Sequence, residues 1–220
     1  MGVSPPASAG ERIGKAEEAP AAQLRIGVYG GAFDPPHRTH VAVARCAVEQ
    51  IGLDALHVLP TGQAWHKPRA LSPAKQRLAM TQLAFAGLPH TVVDGREIAR
   101  RGPTYTIDTL EELQAEHPAA QLYLVIGADQ ADALHTWHRV GDIARIAIIS
   151  VAARADGTSA AGPFGIKNLP QARCLRLHLP PTDVSATDIR SRIAQGMGID
   201  QLVPCAVARY IERHHLYQTA

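Results

Sequence analysis

Two histidines three positions apart, His37 and His40, close the run Gly30-Gly31-Ala32-Phe33-Asp34-Pro35-Pro36-His37-Arg38-Thr39-His40. An apolar stretch holding Ile26, Val28 and Tyr29 leads into it, and residues 41–48 continue it with the composition of a helix. Adjacent glycines let backbone approach a bulky anion, and a helix start offers unpaired N–H groups and the positive end of its dipole. Imidazoles at i and i+3 share one helical face, so both reach one phosphate chain. Strand, glycine turn and histidine-bearing helix start predict a nucleotide polyphosphate site. A surface turn with two solvated histidines would not need that context.

Other residues have chemistry to offer at a distance. In Val184-Ser185-Ala186-Thr187-Asp188-Ile189-Arg190, Ser185 suits a helix N-cap and Arg190 falls one turn inside. Taken alone the run is ordinary capping; beside a phosphate its guanidinium would hold two oxygens at once. Asp129 follows Gly127-Ala128 directly, where a ribose hydroxyl or a magnesium-bound water would be met. Asp108 sits in the first turn of a helix, where an acid also simply complements the dipole. Asp34, ahead of a proline, reads as a turn former. Trp137 has polar flanks, Thr136 and His138, which favour a pocket rim over the core position usual for tryptophan. Trp65, His66 and Lys67 share a polar loop, with Trp65 either a lid or loop packing. The remaining histidines show no metal spacing and read as structural.

These residues need elements to hold them. Strands are expected at about residues 24–30, 55–60, 90–93, 121–127, 144–151 and 174–179, and helices at about 39–51, 73–85, 106–114, 186–195 and 204–214. Ser72-Pro73 looks like a cap with proline at the first helical position. Strand and helix alternate, which predicts an α/β fold: a Rossmann-like, doubly wound, mostly parallel sheet with a small helical C-terminal extension. Ligands of such sheets lie beyond the carboxyl ends of strands where strand order reverses, so the first and fourth strands should flank the site. Residues 1–22, rich in Ala, Pro, Ser, Gly and Glu, read as a flexible tail ahead of one domain over 23–220, and residues 154–171 as a long mobile loop.

Composition narrows the classes. With 220 residues, 46% of them hydrophobic, the chain can bury one substantial core. A net charge of +2 with scattered Lys and Arg argues against nucleic-acid binding. No apolar run reaches the roughly 18 residues of a membrane span, and no secretory signal is present, so the cytoplasm is expected. Cys46, Cys174 and Cys205 lie in apolar segments and read as buried free thiols. No feature of the sequence sets an oligomeric state.

The glycine–histidine run resembles the nucleotidyltransferase superfamily motif, in which His-x-Gly-His ends the turn; here Thr39 replaces the glycine. Three further segments resemble the bacterial nicotinate-nucleotide adenylyltransferases: Gly102-Pro-Thr-Tyr-Thr-Ile-Asp-Thr-Leu110, Gly127-Ala-Asp followed by Leu134-His-Thr-Trp137, and the loop with His66-Lys67-Pro68. The resemblance spans about residues 24–217 and implies the joining of ATP and nicotinate mononucleotide to give deamido-NAD and pyrophosphate. It implies that His37, His40, Lys67 and Arg190 are catalytic, with Mg²⁺ accompanying ATP. It implies ATP binding by Gly30, Gly31, Ala32, Phe33, Asp129, Ser185 and Thr187 as well, and mononucleotide binding by Tyr105, Thr106 and Trp137, the indole stacking on the cationic pyridinium. The competing readings are the same transfer to nicotinamide mononucleotide, and a nucleotide-binding regulator that has lost catalysis, for which Thr39 is the only support. Thr39 would either crowd the triphosphate or offer its hydroxyl to it, and mild crowding is the favoured expectation.

Overall fold

A computed structural model describes residues 23–62, 71–154, 172–182 and 184–218. The first strand, β1 (Arg25–Gly31), is buried at Ile26, Val28 and Tyr29, as an inner strand covered on both faces must be. It leads into α1 (Arg38–Ile51), then β2 (Ala55–Pro60), α2 (Ala74–Phe85) and β3 (Thr91–Val93). Two helices follow, α3 (Arg96–Ala99) and α4 (Thr106–Glu116), and then β4 (Gln121–Gly127). After β4 come α5 (Ala128–Ala133), a 3₁₀ turn over Leu134–Thr136, α6 (Val140–Ile146), β5 (Ala147–Arg154) and β6 (Cys174–Leu179). The chain closes with α7 (Ala186–Ala194) and α8 (Cys205–Arg213).

Among the described residues all six strands are parallel, in the order β3-β2-β1-β4-β5-β6. Strand order reverses between β1 and β4, where Ile26 pairs with Leu122 and Val28 with Leu124. Each face has its own core. One gathers Val43, Ala47, Met80, Phe85, Ile189, Val207 and Ile211 under α1, α2, α7 and α8. The other gathers Ile107, Leu110, Leu113, Leu134 and Ile143 under α4 and α6. This is the doubly wound α/β architecture that alternating strands and helices predict.

The differences from expectation are local. Residues 144–146 belong to α6 rather than to a strand beginning at 144; the apolar run continues unbroken from helix into β5, so periodicity hides the boundary. Ser72 does not cap α2: Pro73 holds the N-cap position, and the Ser72 N–H instead donates to Asp34 Oδ2 at 3.2 Å. Only Cys46 is buried. Cys174, on the edge strand β6, and Cys205, at the first position of α8, are exposed free thiols. The tail over 1–22, residues 155–171 of the expected mobile loop, and Trp65, His66 and Lys67 lie outside the described residues. No described helix is long and apolar enough to cross a membrane.

Candidate active site

The glycine turn is built for close approach. A Cβ on Gly31 would sit 2.9 Å from the Phe33 ring, so that position cannot carry a side chain without moving the ring. A Cβ on Gly30 would meet nothing within 4 Å, because Gly30 opens onto a cleft. Phe33 itself adopts φ 47° and is 1% exposed, edge-on to Tyr29, His40 and Phe85. Its ring therefore belongs to the core, and the ATP contact expected of Phe33 would fall to its backbone. An aromatic beside a glycine pair looks ligand-facing in sequence, and only packing shows it turned inward.

At the start of α1 the two imidazoles lie against each other, ring centroids 3.7 Å apart and tilted by 32°. The His37 N–H donates to His40 Nδ1 at 3.1 Å. That bond occupies the Nδ1 lone pair, so neutral His40 carries its proton on Nε2. His37 is 5% exposed, and desolvation lowers its pKa to about 4, leaving it neutral at pH 7. Any hydrogen bond it gives is that of a neutral donor, not of the imidazolium that would bind a phosphate more strongly.

The second motif is brought to the first. Ser185 Oγ accepts from the Asp188 N–H at 3.1 Å and caps α7. One turn on, Arg190 Nη1 donates to the Asp34 carbonyl at 2.8 Å and Nη2 to Thr187 Oγ1 at 3.0 Å. Residues 156 positions apart in sequence thus meet at the histidine-bearing turn.

Thr39 takes part in the same junction. Its hydroxyl donates to the Val184 carbonyl at 3.3 Å, tying the first turn of α1 to the residue before the α7 cap. The hydroxyl is therefore committed to protein rather than held out to a phosphate. Thr39→Gly should lose that bond and add a glycine to a helical turn, a loss of about 1 to 2 kcal/mol. A thermal melt should show a midpoint lower by about 2–8 °C. ATP affinity should not improve, contrary to the mild crowding expected from sequence; a gain would bear that expectation out.

Beside this cluster a cleft of about 370 Å³ opens at the carboxyl ends of β1 and β4. Gly30, Gly31 and Ala32 form one wall, Thr104, Tyr105 and Thr106 another, and Asp129, Trp137 and His138 a third. The Tyr105 and His138 rings face each other across the rim at 4.3 Å and 34°. Trp137 is half-buried and also packs against the α4–α6 core. Of the residues expected from sequence, Gly30, Gly31, Ala32, Tyr105, Thr106, Asp129 and Trp137 line one cleft. His37, His40, Ser185, Thr187 and Arg190 gather at the α1–α7 junction instead. Asp108, on α4, does not line the cleft.

Sequence reasoning missed four residues here. Arg77 and Tyr217 support the turn and are taken up below. His138 passed as a polar flank of Trp137. Glu97 lines the cleft while 6% exposed, accepting from Thr109 Oγ1 at 3.0 Å, and desolvation raises its pKa to about 7. Its protonated form is the one the fold prefers. That preference is fully present below the unfolded value of 4.5 and is lost as pH rises through about 7. Glu97→Gln should therefore gain on the parent chain between pH 5 and 8, by on the order of 3 kcal/mol, in urea unfolding at the two ends of that range. A constant difference would mean that Glu97 is not held protonated. Comparison within the pair is needed because buried neutral His37 acts oppositely, losing stability as pH falls below its ordinary value.

Residues 28–192 match the model of the cytidylyltransferase-like family. Over 196 residues, 89% of this chain and 99% of the other, the sequence is 54% identical to the "Probable nicotinate-nucleotide adenylyltransferase" of Albidiferax ferrireducens. It is 43% identical to the protein of the same name from Methylibium petroleiphilum, over 89% of this chain and 93% of that one. Among solved structures, the Plasmodium falciparum nicotinic acid mononucleotide adenylyltransferase complexed with NaAD has the same fold, with a TM-score of 0.74 at 17% identity over 89% of this chain and 98% of that one.

Proposed function

Because the chain belongs to the nicotinate-nucleotide adenylyltransferases of the cytidylyltransferase-like family, we propose that it joins ATP and nicotinate mononucleotide to give deamido-NAD and pyrophosphate. One observation carries the assignment of roles: the Arg190–Asp34 contact sets a guanidinium against the glycine–histidine turn, next to a cleft on the line where strand order reverses. In this reading the mononucleotide occupies the cleft, with its ring at Trp137 and its polar groups at Tyr105 and Thr106. The triphosphate lies over the start of α1, toward His40 and Arg190.

The chemistry asks for no nucleophilic side chain. The mononucleotide phosphate is already an anion at neutral pH, and its oxygen attacks the α-phosphorus of ATP in line as the bond to pyrophosphate breaks. The protein has to align the two phosphates and neutralise charge on the departing one. His40 Nε2–H, the Arg190 guanidinium and the first N–H groups of α1 supply preorganised donors. Lys67, in the sequence after β2, would add a cation to the phosphates. Asp129, one residue into α5, meets a ribose hydroxyl of ATP. Among the described residues no three His, Cys, Asp or Glu side chains are grouped to hold a metal. ATP would bring Mg²⁺ with it, and the ion's charge would offset that of the phosphate oxygens. In this reading the reaction runs in the cytoplasm, where ATP is available.

Pyrophosphate release with ATP and Mg²⁺, measured for nicotinate and nicotinamide mononucleotide in turn, tests the reading. Faster turnover of the acid supports it. Preference for the amide would make the chain an adenylyltransferase of the other mononucleotide. ATP binding without release from either would make it a nucleotide-binding protein.

A further inference from the structure

Beyond α8 the chain folds back through two residues in the left-handed region, His215 at φ 49° and Tyr217 at φ 64°. Side chains with a Cβ adopt that region only where their surroundings over-determine it. His215 closes α8 locally, its N–H donating to Glu212 O and the Leu216 N–H to Ile211 O, each at 3.1 Å. Tyr217 reaches a partner 183 residues away, its hydroxyl donating to Asp34 Oδ1 at 2.6 Å. Asp34 is 2% exposed, and its other carboxylate oxygen accepts the Ser72 N–H at 3.2 Å. Its main-chain carbonyl is the acceptor for Arg190 Nη1.

A buried cation completes the arrangement. Arg77, on α2, is 2% exposed and donates through Nη1 to the Ala32 carbonyl at 3.0 Å. It also donates through Nε to Ser72 O at 3.0 Å and through Nη2 to Gly62 O at 3.2 Å. Backbone on both sides of Phe33 is therefore gripped, Ala32 by Arg77 and Asp34 by Arg190. Burial and the Asp34 charge push the Tyr217 hydroxyl above the ordinary tyrosine range, so it stays a donor to a carboxylate. A ring that merely filled space would not need its oxygen this close to a buried acid.

We propose that Tyr217 is a positioning residue of the adenylyl-transfer site: through Asp34 it fixes the carbonyl on which Arg190 rests, so the last turn of the chain sets where that guanidinium meets the phosphates. The inference rests on the role given to Arg190 in the proposed function, and the test keeps the two apart. ATP affinity by calorimetric titration, kcat by pyrophosphate release and thermal midpoint are measured for the parent chain, Tyr217→Phe, Arg190→Ala and the double variant. Tyr217→Phe keeps the ring and loses the hydroxyl, with its bond to Asp34 and its weaker contact with Met80 Sδ at 4.0 Å.

The expected result for Tyr217→Phe is kcat lower by about tenfold and ATP Kd higher by about fivefold, the scale on which a remote misplacement acts. KM for the mononucleotide should stay within about twofold, and the midpoint within about 4 °C. In the Arg190→Ala background the same change should move kcat and Kd by less than about twofold, because the group it positions is gone. Equal losses in both backgrounds, or a fall in midpoint alone, would overturn the positioning role. An inactive parent chain would overturn the proposed function, while the ATP titrations would still decide whether Tyr217 acts through Arg190.

Discussion

His40→Ala should lower kcat by at least about 10²-fold while changing ATP affinity only modestly. The expectation comes from how the imidazole is held. His37 N–H occupies Nδ1 at 3.1 Å, and Phe33 sets its edge against the ring with centroids 5.0 Å apart. The Nε2–H is thereby aimed before any substrate arrives, and a preorganised donor costs no reorganisation when charge develops on the phosphates. Removing such a donor typically costs on the order of 10²–10³ in rate. Binding suffers less because Arg190, the α1 N–H groups and Lys67 still meet the triphosphate in the proposed arrangement. Steady-state kinetics with a parallel ATP titration reads both quantities. Near-normal turnover would remove His40 from the transition state. A parallel loss of binding and rate would make it a ground-state ligand. His37 should behave differently: being buried and neutral to about pH 4, it should leave no inflection in the rate profile between pH 6 and 8.

The contrast between these two histidines shows where sequence stops being informative. Their spacing places both on one helical face and says nothing of burial, which is what separates a neutral, enclosed His37 from a half-buried His40. The doubly wound parallel sheet, with its first and fourth strands at the reversal, was legible because alternating strands and helices with buried apolar runs admit few sheets. The meeting of Arg190 with the glycine turn was legible only through resemblance, since no local pattern connects residues 156 positions apart. Arg77 shows the opposite failure. An arginine in a helix reads as solvated, yet it lies on the buried stripe with Met80, Thr81 and Ala84, and three carbonyls left by irregular loops satisfy it. Loop carbonyls cannot be counted before the loops are placed. Tyr217 was invisible for a related reason: its partner is set by a left-handed turn that no residue type near the C-terminus announces. Thr39 read as a residue that would crowd the triphosphate or donate to it, whereas its hydroxyl joins α1 to the residue ahead of the α7 cap.

Trp137→Ala should weaken nicotinate mononucleotide by roughly thirtyfold, about 2 kcal/mol, with ATP affected less than about threefold. Trp137 follows the 3₁₀ turn, held by its N–H to the Leu134 carbonyl at 3.0 Å, and lines the cleft beside Asp129 and His138. An indole face carries negative charge density, and the pyridinium of the mononucleotide is a flat cation that the cleft desolvates. ATP has no such ring, so a stacking role predicts selective loss. The same side chain packs against the α4–α6 core, and its truncation will also lower stability. Selectivity, rather than the size of either effect, therefore carries the test. Trp137→Phe serves as the control: it keeps a smaller aromatic face and should recover most of the mononucleotide affinity while leaving a cavity in the packing. If both ligands weaken equally, or if phenylalanine restores the melting midpoint without restoring mononucleotide affinity, Trp137 is a core residue that borders the cleft, and the pyridinium finds its partner elsewhere on the rim, with the stacked Tyr105 and His138 the next residues to test.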